Sequence, residues 1–296
     1  MKPPAFKYFA PKSLDDALEQ LAEYGDEAKV LAGGQSFVPI MNFRLAQPAV
    51  LIDLNGIPEL FYIRSDKKNG LRIGAMTRQR EVERSELIKK QAPLIHETMP
   101  FISHPQIRNR GTVGGSIAHA DPAAELPAVM LALDASYRVK NKNGERVVSA
   151  REFHQGLFTT ALEPDEILTQ ISIPPLPPRT GCAFQEVARR HGDFALVGVA
   201  AIVSLDKKNI CQKAELVFLS VGDGPVEAQE AAKILSGQTL SEGVILAAAE
   251  TAASKDIFPV SDIHASESFR RHLAKVLAER ALTAACALAK SKTWPI

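Results

Sequence analysis

Two short stretches hold most of the residues whose types and spacing suggest chemistry. One is Ala32, Gly33, Gly34, Gln35 and Ser36, directly after the apolar pair Val30 and Leu31. The other is Gly111, Thr112, Val113, Gly114, Gly115 and Ser116, followed by the tail of residues 121–125. Each sets a Gly-Gly pair beside hydroxyl or amide side chains. Glycine reaches positive φ without steric cost and lets a ligand approach the backbone. Successive exposed N–H groups in such a turn make a concave site for an anion. Glycine pairing alone leaves open two ordinary β-turns. Two such stretches, far apart in the chain and both carrying Ser, Thr or Gln, point instead to a ligand with two phosphates gripped from both sides.

Other chemistries find less support. No G-x-G-x-x-G follows a strand and no G-x-x-x-x-G-K-S/T occurs, which argues against Rossmann and P-loop folds. Cys182, Cys211 and Cys286 are scattered without a C-x-x-C pair. Neither a zinc ribbon nor an iron–sulfur cluster can be built from this chain alone, and buried, inert thiols are expected. The 7 histidines form no H-E-x-x-H, and no G-x-S-x-G elbow is present. A formal net charge of +1 and 6 % aromatics, without basic–aromatic interleaving, argue against nucleic acid. The N-terminus lacks the apolar run of a signal peptide. The longest apolar stretches, around 126–133 and 196–205, fall short of the roughly 20 residues that span a bilayer. A cytoplasmic protein with no membrane segment is expected.

The elements that must position the glycine stretches follow from local patterns. Ser13 reads as an N-cap, Leu14, Ala17, Leu18, Leu21 and Ala22 form a helical stripe, and Gly25 closes it. A strand over 29–31 enters the first glycine turn, and a short helix with Phe37, Ile40, Met41 and Leu45 leaves it. A strand over 50–54 completes a small βαβαβ-like unit. Strand, turn and helix in that order aim a helix N-terminus at an anion. Strands 61–65 and 71–75 read as a hairpin around Asn69-Gly70. Helices 81–88 and 92–102 precede the second glycine stretch, and a helix over 127–132 leaves it. A hairpin of 137–140 and 145–149 turns at Asn143-Gly144, and 168–173 is a further strand. Pro174, Pro175, Pro177 and Pro178 make a stiff connector, where a domain boundary is placed. Beyond it come three strands, 184–190, 195–205 and 211–221, then helices over 227–235, 241–253 and 267–290. On the last helix Phe269, Leu273, Val276, Leu277 and Leu282 form the expected core stripe. A chain of 296 residues accommodates two or three such domains.

The first stretch, and the 109–116 segment with its 121–125 tail, resemble the two flavin-binding signatures of one family. This family comprises the FAD-binding (medium) subunits of molybdenum hydroxylases such as carbon monoxide dehydrogenase and xanthine dehydrogenase, and the similarity covers nearly the whole chain. It implies an α+β protein with a PCMH-type (vanillyl-alcohol-oxidase-like) FAD-binding domain of two α/β subdomains, 1–54 and 55–176. A C-terminal domain of carbon monoxide dehydrogenase flavoprotein type, 177–296, would add a three-stranded antiparallel sheet and helices. Ala32, Gly33, Gly34, Gln35, Ser36, Gly111, Thr112, Val113, Gly114, Gly115 and Ser116 would then present N–H groups and hydroxyls to the FAD pyrophosphate. With a positive φ, Gly114 would tolerate no side chain, so that Gly114→Ala folds but carries little flavin. Ile102 matches a position near the adenine, or is simply core. Glu125 stands where the family has an aspartate that bonds ribityl or ribose hydroxyls, and it reads equally well as a helix N-terminal carboxylate. Asp121 and Pro122 shape that turn. The string from Arg189 to Ala195 resembles the segment lying against the isoalloxazine, with Asp193 and Phe194 facing the flavin and Phe194 covering one ring face. Arg189 and Arg190 read as a solvated basic edge or as subunit-facing.

The resemblance implies no catalytic residue and no metal on this chain, because the cofactor carries the chemistry. Its partners would be a molybdopterin-binding large subunit and a [2Fe–2S] small subunit, in a dimer of heterotrimers. Electrons would pass from the clusters through FAD to NAD, a quinone or oxygen. The absence of a cysteine-rich loop counts against the benzoyl-CoA-reducing branch. Two other classes stay open from the residues: a stand-alone FAD-dependent oxidase or dehydrogenase of the same flavin fold, and a non-enzymatic nucleotide-binding module.

Overall fold

In a computed structural model, residues 2–66 and 70–291 are described. The chain begins with β1 (Lys7–Phe9), α1 (Leu14–Tyr24), β2 (Ala28–Leu31), α2 (Phe37–Asn42) and β3 (Val50–Asp53). The three strands form a parallel sheet in the order β1-β3-β2. The Ser13 hydroxyl accepts from the Asp16 amide, and Leu14, Ala17, Leu18 and Leu21 are the buried stripe of α1. That cap satisfies one orphan N–H, and the stripe closes a small core over Val50, Ile52 and Leu54. The strand β1 was not expected from the sequence; at three residues, with Tyr8 exposed, it carries no alternation to read.

A second sheet is antiparallel. Its strands are β4 (Ile63–Asp66), β5 (Gly70–Gly74), β6 (Ser136–Asn141), β7 (Gly144–Ser149) and, after a short hairpin of β8 (His154–Gly156) and β9 (Thr159–Thr160), β10 (Ile167–Ile173). The order in the large sheet is β4-β5-β10-β6-β7. The tight turn expected at Asn69-Gly70 falls partly outside the described residues, since Asn69 is not among them. Between β5 and β6 lie α3 (Gln79–Arg84), α4 (Glu86–Gln91), α5 (Pro93–Thr98), α6 (Pro105–Arg108), α7 (Val113–His119) and α8 (Glu125–Ala132). The two helices expected over 81–88 and 92–102 are therefore three. Ser85 leaves helical dihedrals to cap α4 through its own hydroxyl, and Pro93 starts α5 afresh. A short helix, α9 (Ala150–Phe153), links β7 to β8.

After the proline-rich connector come β11 (Thr180–Ala188), β12 (Ala195–Leu205), β13 (Cys211–Leu219) and β14 (Val226–Glu227), then α10 (Gln229–Leu235), α11 (Glu242–Thr251) and α12 (Glu267–Lys290). The expected three-stranded sheet has a fourth member: two-residue β14 pairs with β13 at its edge. Every residue of β12 is buried. Ala200 and Ile202 face the core of the second sheet, whereas Val197, Val199, Ala201 and Val203 face the helices. That two-sided burial explains why the strand reads as an unbroken apolar run.

The stripe expected on α12 is displaced. Phe269 is exposed, and the buried face is Ala274, Leu277, Ala278, Ala281, Leu282, Ala285, Cys286 and Ala289. The helix lies so close to the sheet that a Cβ on Gly181 of β11 would fall onto the Ala285 carbonyl oxygen. Small residues permit that approach, while Leu277 and Leu282 of the expected stripe stay in the buried face and Phe269 turns outward. Among the described residues no helix is long and apolar enough to cross a membrane. Gly181→Ala should overpack this contact against backbone that cannot yield, costing about 1–3 kcal/mol in urea-induced unfolding. An unchanged midpoint would contradict the account of why α12 is alanine-rich.

Candidate functional site

Both glycine stretches leave their elements at the same place. The first joins β2 to α2, and the second joins α6 to α7. A Cβ built on Gly33 would sit 2.5 Å from the Arg110 carbonyl oxygen and 2.8 Å from Gly111 Cα. One on Gly115 would sit 3.1 Å from Ala32 Cβ and 3.9 Å from the Gly33 nitrogen. The bends therefore touch through their backbones. They form one continuous cradle, not two walls with a gap between them, because residues without side chains can close that gap.

The donors on this cradle are unevenly distributed. Among the described residues, the amides of Gly33, Gly34, Gln35 and Ser36 donate to no other group. Gly34 adopts φ 71°, which turns this string of N–H groups outward in a way a side chain would resist. The Gln35 side chain folds back onto the Gly33 carbonyl at 3.1 Å, which stiffens the turn. The second stretch differs from expectation. Thr112 is the N-cap of α7, and its hydroxyl accepts from the Gly115 amide at 3.0 Å. The Val113 amide donates to Thr77, Gly114 to Ala75 and Ser116 to Thr112. These amides hold α7 to the end of β5 and cannot also face a ligand. Of this stretch, the Thr112 amide is the one left without an acceptor among the described residues. Gly114 does not have a positive φ. A Cβ there would meet the Ala75 side chain at 2.6 Å, so Gly114→Ala tests packing and not ligand contact.

Residues that the sequence reading missed tie the cradle together. The Asn55 side-chain amide donates to the Ala32 carbonyl at 2.8 Å, and Arg78 donates to Asn55 Oδ1 at 2.5 Å. Arg78 also donates to the Arg110 carbonyl. One guanidinium thus bridges both glycine stretches. Burial lowers its pKa, and the Arg110 charge lowers it further. Glu81 and Asp53 act on it in the opposite sense, so acids and bases meet at this edge of the cradle. Asp53 accepts from Tyr8 at 2.5 Å and from the Asn55 amide at 2.8 Å. Nothing periodic marks Asn55 or Arg78; the pairing exists only once two sheets have met.

Ile102 is 7 % exposed and joins the core of the second sheet, as its apolar alternative required. Asp121 accepts from the Ala123 amide and shapes the turn into α8, while Pro122 receives the Ser220 amide from the C-terminal sheet. Glu125 opens α8 yet is only 8 % exposed, which separates it from a solvated cap. Burial pushes its pKa up to about 7, with Asp121 adding to the rise and Arg108 opposing it. Glu186 of β11 is pushed up to about 8 by burial, then by Glu125, and its Oε2 is sealed from solvent without a partner among the described residues. Asp193 and Phe194 are exposed on the loop into β12, Phe194 at 68 %. That loop touches the segment between α5 and α6 at Gly192, where φ is 87° and a Cβ would fall onto the His104 ring. Among the described residues no cluster of three metal-ligating side chains occurs. A cleft of about 340 Å³ beside Arg151, Lys213 and Glu215 lies away from the cradle, and these three charges are already paired with one another.

Comparison with known proteins identifies the family. Residues 4–176 match the model of the FAD binding domain in molybdopterin dehydrogenase, and residues 182–285 match the CO dehydrogenase flavoprotein C-terminal domain. The chain belongs to the FAD-binding (medium) subunits of the molybdenum hydroxylase family, which are subunits of oxidoreductases. It is 43 % identical to the 6-hydroxypseudooxynicotine dehydrogenase complex subunit alpha of Paenarthrobacter nicotinovorans, over 96 % of each chain. It is 38 % identical to the carbon monoxide dehydrogenase medium chain of Afipia carboxidovorans, over 98 % of this chain and 100 % of the relative. A chain of carbon monoxide dehydrogenase from Hydrogenophaga pseudoflava superposes with a TM-score of 0.94 at 36 % identity, covering 97 % of this chain and 99 % of the other.

The carboxyl pair gives a pH prediction. Both folded pKa values lie above the ordinary carboxylate value of 4.5, so the folded chain holds protons that the unfolded chain releases. Stability should therefore fall as pH rises from about 4.5 to about 8. Glu186→Gln should remove much of that slope and be more stable than wild type at pH 8.5, by roughly 1–3 kcal/mol, but not at pH 5. Parallel urea titrations with equal slopes in both proteins would refute this.

Proposed function

We propose that this chain carries FAD and serves as the electron-transfer subunit of a molybdenum hydroxylase complex. In this reading it takes electrons from [2Fe–2S] centres on a small partner subunit and passes them to an acceptor such as NAD, a quinone or oxygen. A molybdopterin-binding large subunit oxidises the substrate, and the assembly is a cytoplasmic dimer of heterotrimers. The observation that carries the reading is the row of free amides from Gly33 to Ser36, set against Gly111–Gly115 with two guanidiniums beside it.

The residues fit the cofactor. Gly33, Gly34, Gln35, Ser36 and Thr112 would donate amide hydrogens to its pyrophosphate, and the Ser36 and Ser116 hydroxyls, unpartnered among the described residues, would add to them. Each bond to a charged acceptor contributes about 1.5–3 kcal/mol, so a handful holds the group without a covalent link. Ala32, Gly111, Val113, Gly114 and Gly115 build the cradle by close packing and need not donate. Glu125, whose pKa is pushed up to about 7 by burial, would donate to or accept from a sugar-chain hydroxyl. Asp193 and Phe194, exposed on their loop, would face the isoalloxazine. When bound, FAD supplies the exchange between one-electron and two-electron transfer. The protein binds it, orients it and restricts its access to water. The PCMH-type arrangement of subdomains 1–54 and 55–176, with a C-terminal domain from 177, belongs to the same reading. Its support is that one glycine stretch leaves a parallel sheet and the other follows an antiparallel one.

A stand-alone flavin oxidase is disfavoured, because the relatives named above are chains of multi-subunit dehydrogenases. Isolated wild-type chain should be yellow, and its flavin should be reduced by substrate only when partner subunits are added. Reduction by substrate in the isolated chain would overturn the subunit assignment. Gly33→Ala, whose new Cβ would meet the Arg110 backbone, should fold but retain at least about tenfold less flavin, with a stability loss of about 1–3 kcal/mol. Gly144→Ala, in an open turn, should keep full occupancy. Full flavin in Gly33→Ala would contradict the cradle.

A further inference from the structure

A buried guanidinium holds the turn against which a loop of the C-terminal domain rests. Arg108, the last residue of α6, is buried. Its Nε and Nη2 donate to the two Glu83 carboxylate oxygens at 3.1 Å each, a bidentate fork. Its Nη1 donates to the Ile102 carbonyl at 2.8 Å and to the Ser103 carbonyl at 3.0 Å. Between those carbonyls Ser103 holds φ 47°, a left-handed conformation that a serine keeps only when its surroundings impose it. The other charges near this group are Arg80, which shares Glu83, and Glu125.

The next residue, His104, is exposed, and its ring fills the space beside Gly192. His104 and His191 face each other with ring centroids 6.3 Å apart. Gly192 is the pivot of the loop that carries Asp193 and Phe194. Its positive φ and missing side chain let the loop come up against the imidazole. A continuous path therefore runs from Glu83 through Arg108 to the two carbonyls, then through His104 to Gly192.

We infer that Arg108 is a positioning residue of the flavin site: through the 102–104 turn it sets where the 189–194 loop of the C-terminal domain rests. The inference depends on the proposed function only in calling that loop part of the flavin site. Arg108 touches no cofactor in this scheme. It fixes a wall of the site from behind, and a lysine, which lacks the planar fork, cannot hold Glu83 and both carbonyls together.

The test is amide hydrogen exchange on the full-length chain, wild type against Arg108→Lys, with the flavin's visible circular dichroism recorded on the same samples. Exchange at 190–194 should accelerate at least about tenfold together with 102–104, while α12 amides stay as in wild type. The dichroism should change at unchanged flavin content. Faster exchange at 102–104 with 190–194 unaltered would overturn the inference, as would a uniform rise across all elements, the mark of a purely structural residue. Should Arg108→Lys fail to fold, His104→Ala leaves the ion pair in place and must by itself accelerate exchange at 190–194; unchanged exchange there is equally fatal. Flavin content is scored separately. A wild-type chain without flavin refutes the proposed function but not the coupling between the loops.

Discussion

The arrangement depends on one close approach: the backbone at Gly33 lies directly against the carbonyl of Arg110 and the Cα of Gly111. Any side chain at Gly33 would separate the parallel sheet from the loop that enters α7. With the gap closed, Arg78 can reach both stretches at once, and Asn55 can hold the Ala32 carbonyl from below. The cost of the design is a set of amides with no partner among the described residues. Unpaired backbone donors are rare unless water or a ligand meets them. Here they lie on a surface turn beside two arginines, where an anion with several acceptor oxygens suits them best.

The two glycine pairs look alike in sequence and do different work. In the first, positive φ at Gly34 turns successive N–H groups outward. In the second, the glycines lie in the first turn of α7, where Gly114 lets the helix sit on Ala75 and Gly115 lets it approach Ala32. Their amides are spent on holding α7 in place. A diphosphate would therefore rest chiefly on the first stretch and on the Thr112 amide, and the second stretch supplies mainly shape.

Much of this was readable from the chain. Ser13 and the α1 stripe, the two glycine stretches and the long C-terminal helix all rest on local rules of capping and period. The 136–149 hairpin, by contrast, turns one residue earlier than expected, at Lys142 and Asn143, with Gly144 already paired in β7. The family followed from the second stretch and its tail. What escaped had no local signature. Arg78, Asn55, Arg108 and Glu186 matter through partners brought to them by the meeting of separate elements, and a lone charged residue carries no hint of that. The α12 face was read in part: Leu277 and Leu282 are core as expected, but the alanines that allow the helix close to Gly181 carry no strong apolar signal, and Phe269 is exposed. The helices before the cradle were read as longer than they are, since Ser85 and Pro93 break a pattern that hydrophobic spacing alone continues.

The central claim is that the unpaired amides of the first stretch hold the diphosphate. Amide ¹H–¹⁵N spectra of flavin-free chain, titrated in parallel with FAD and with riboflavin, test it directly. FAD should shift the signals of Gly33, Gly34, Gln35, Ser36 and Thr112 strongly and those of Val113 and Gly114 little, while riboflavin, which lacks phosphates, should leave the first group near its starting positions. Equal shifts with both ligands, or none at residues 33–36 on adding FAD, would contradict the account.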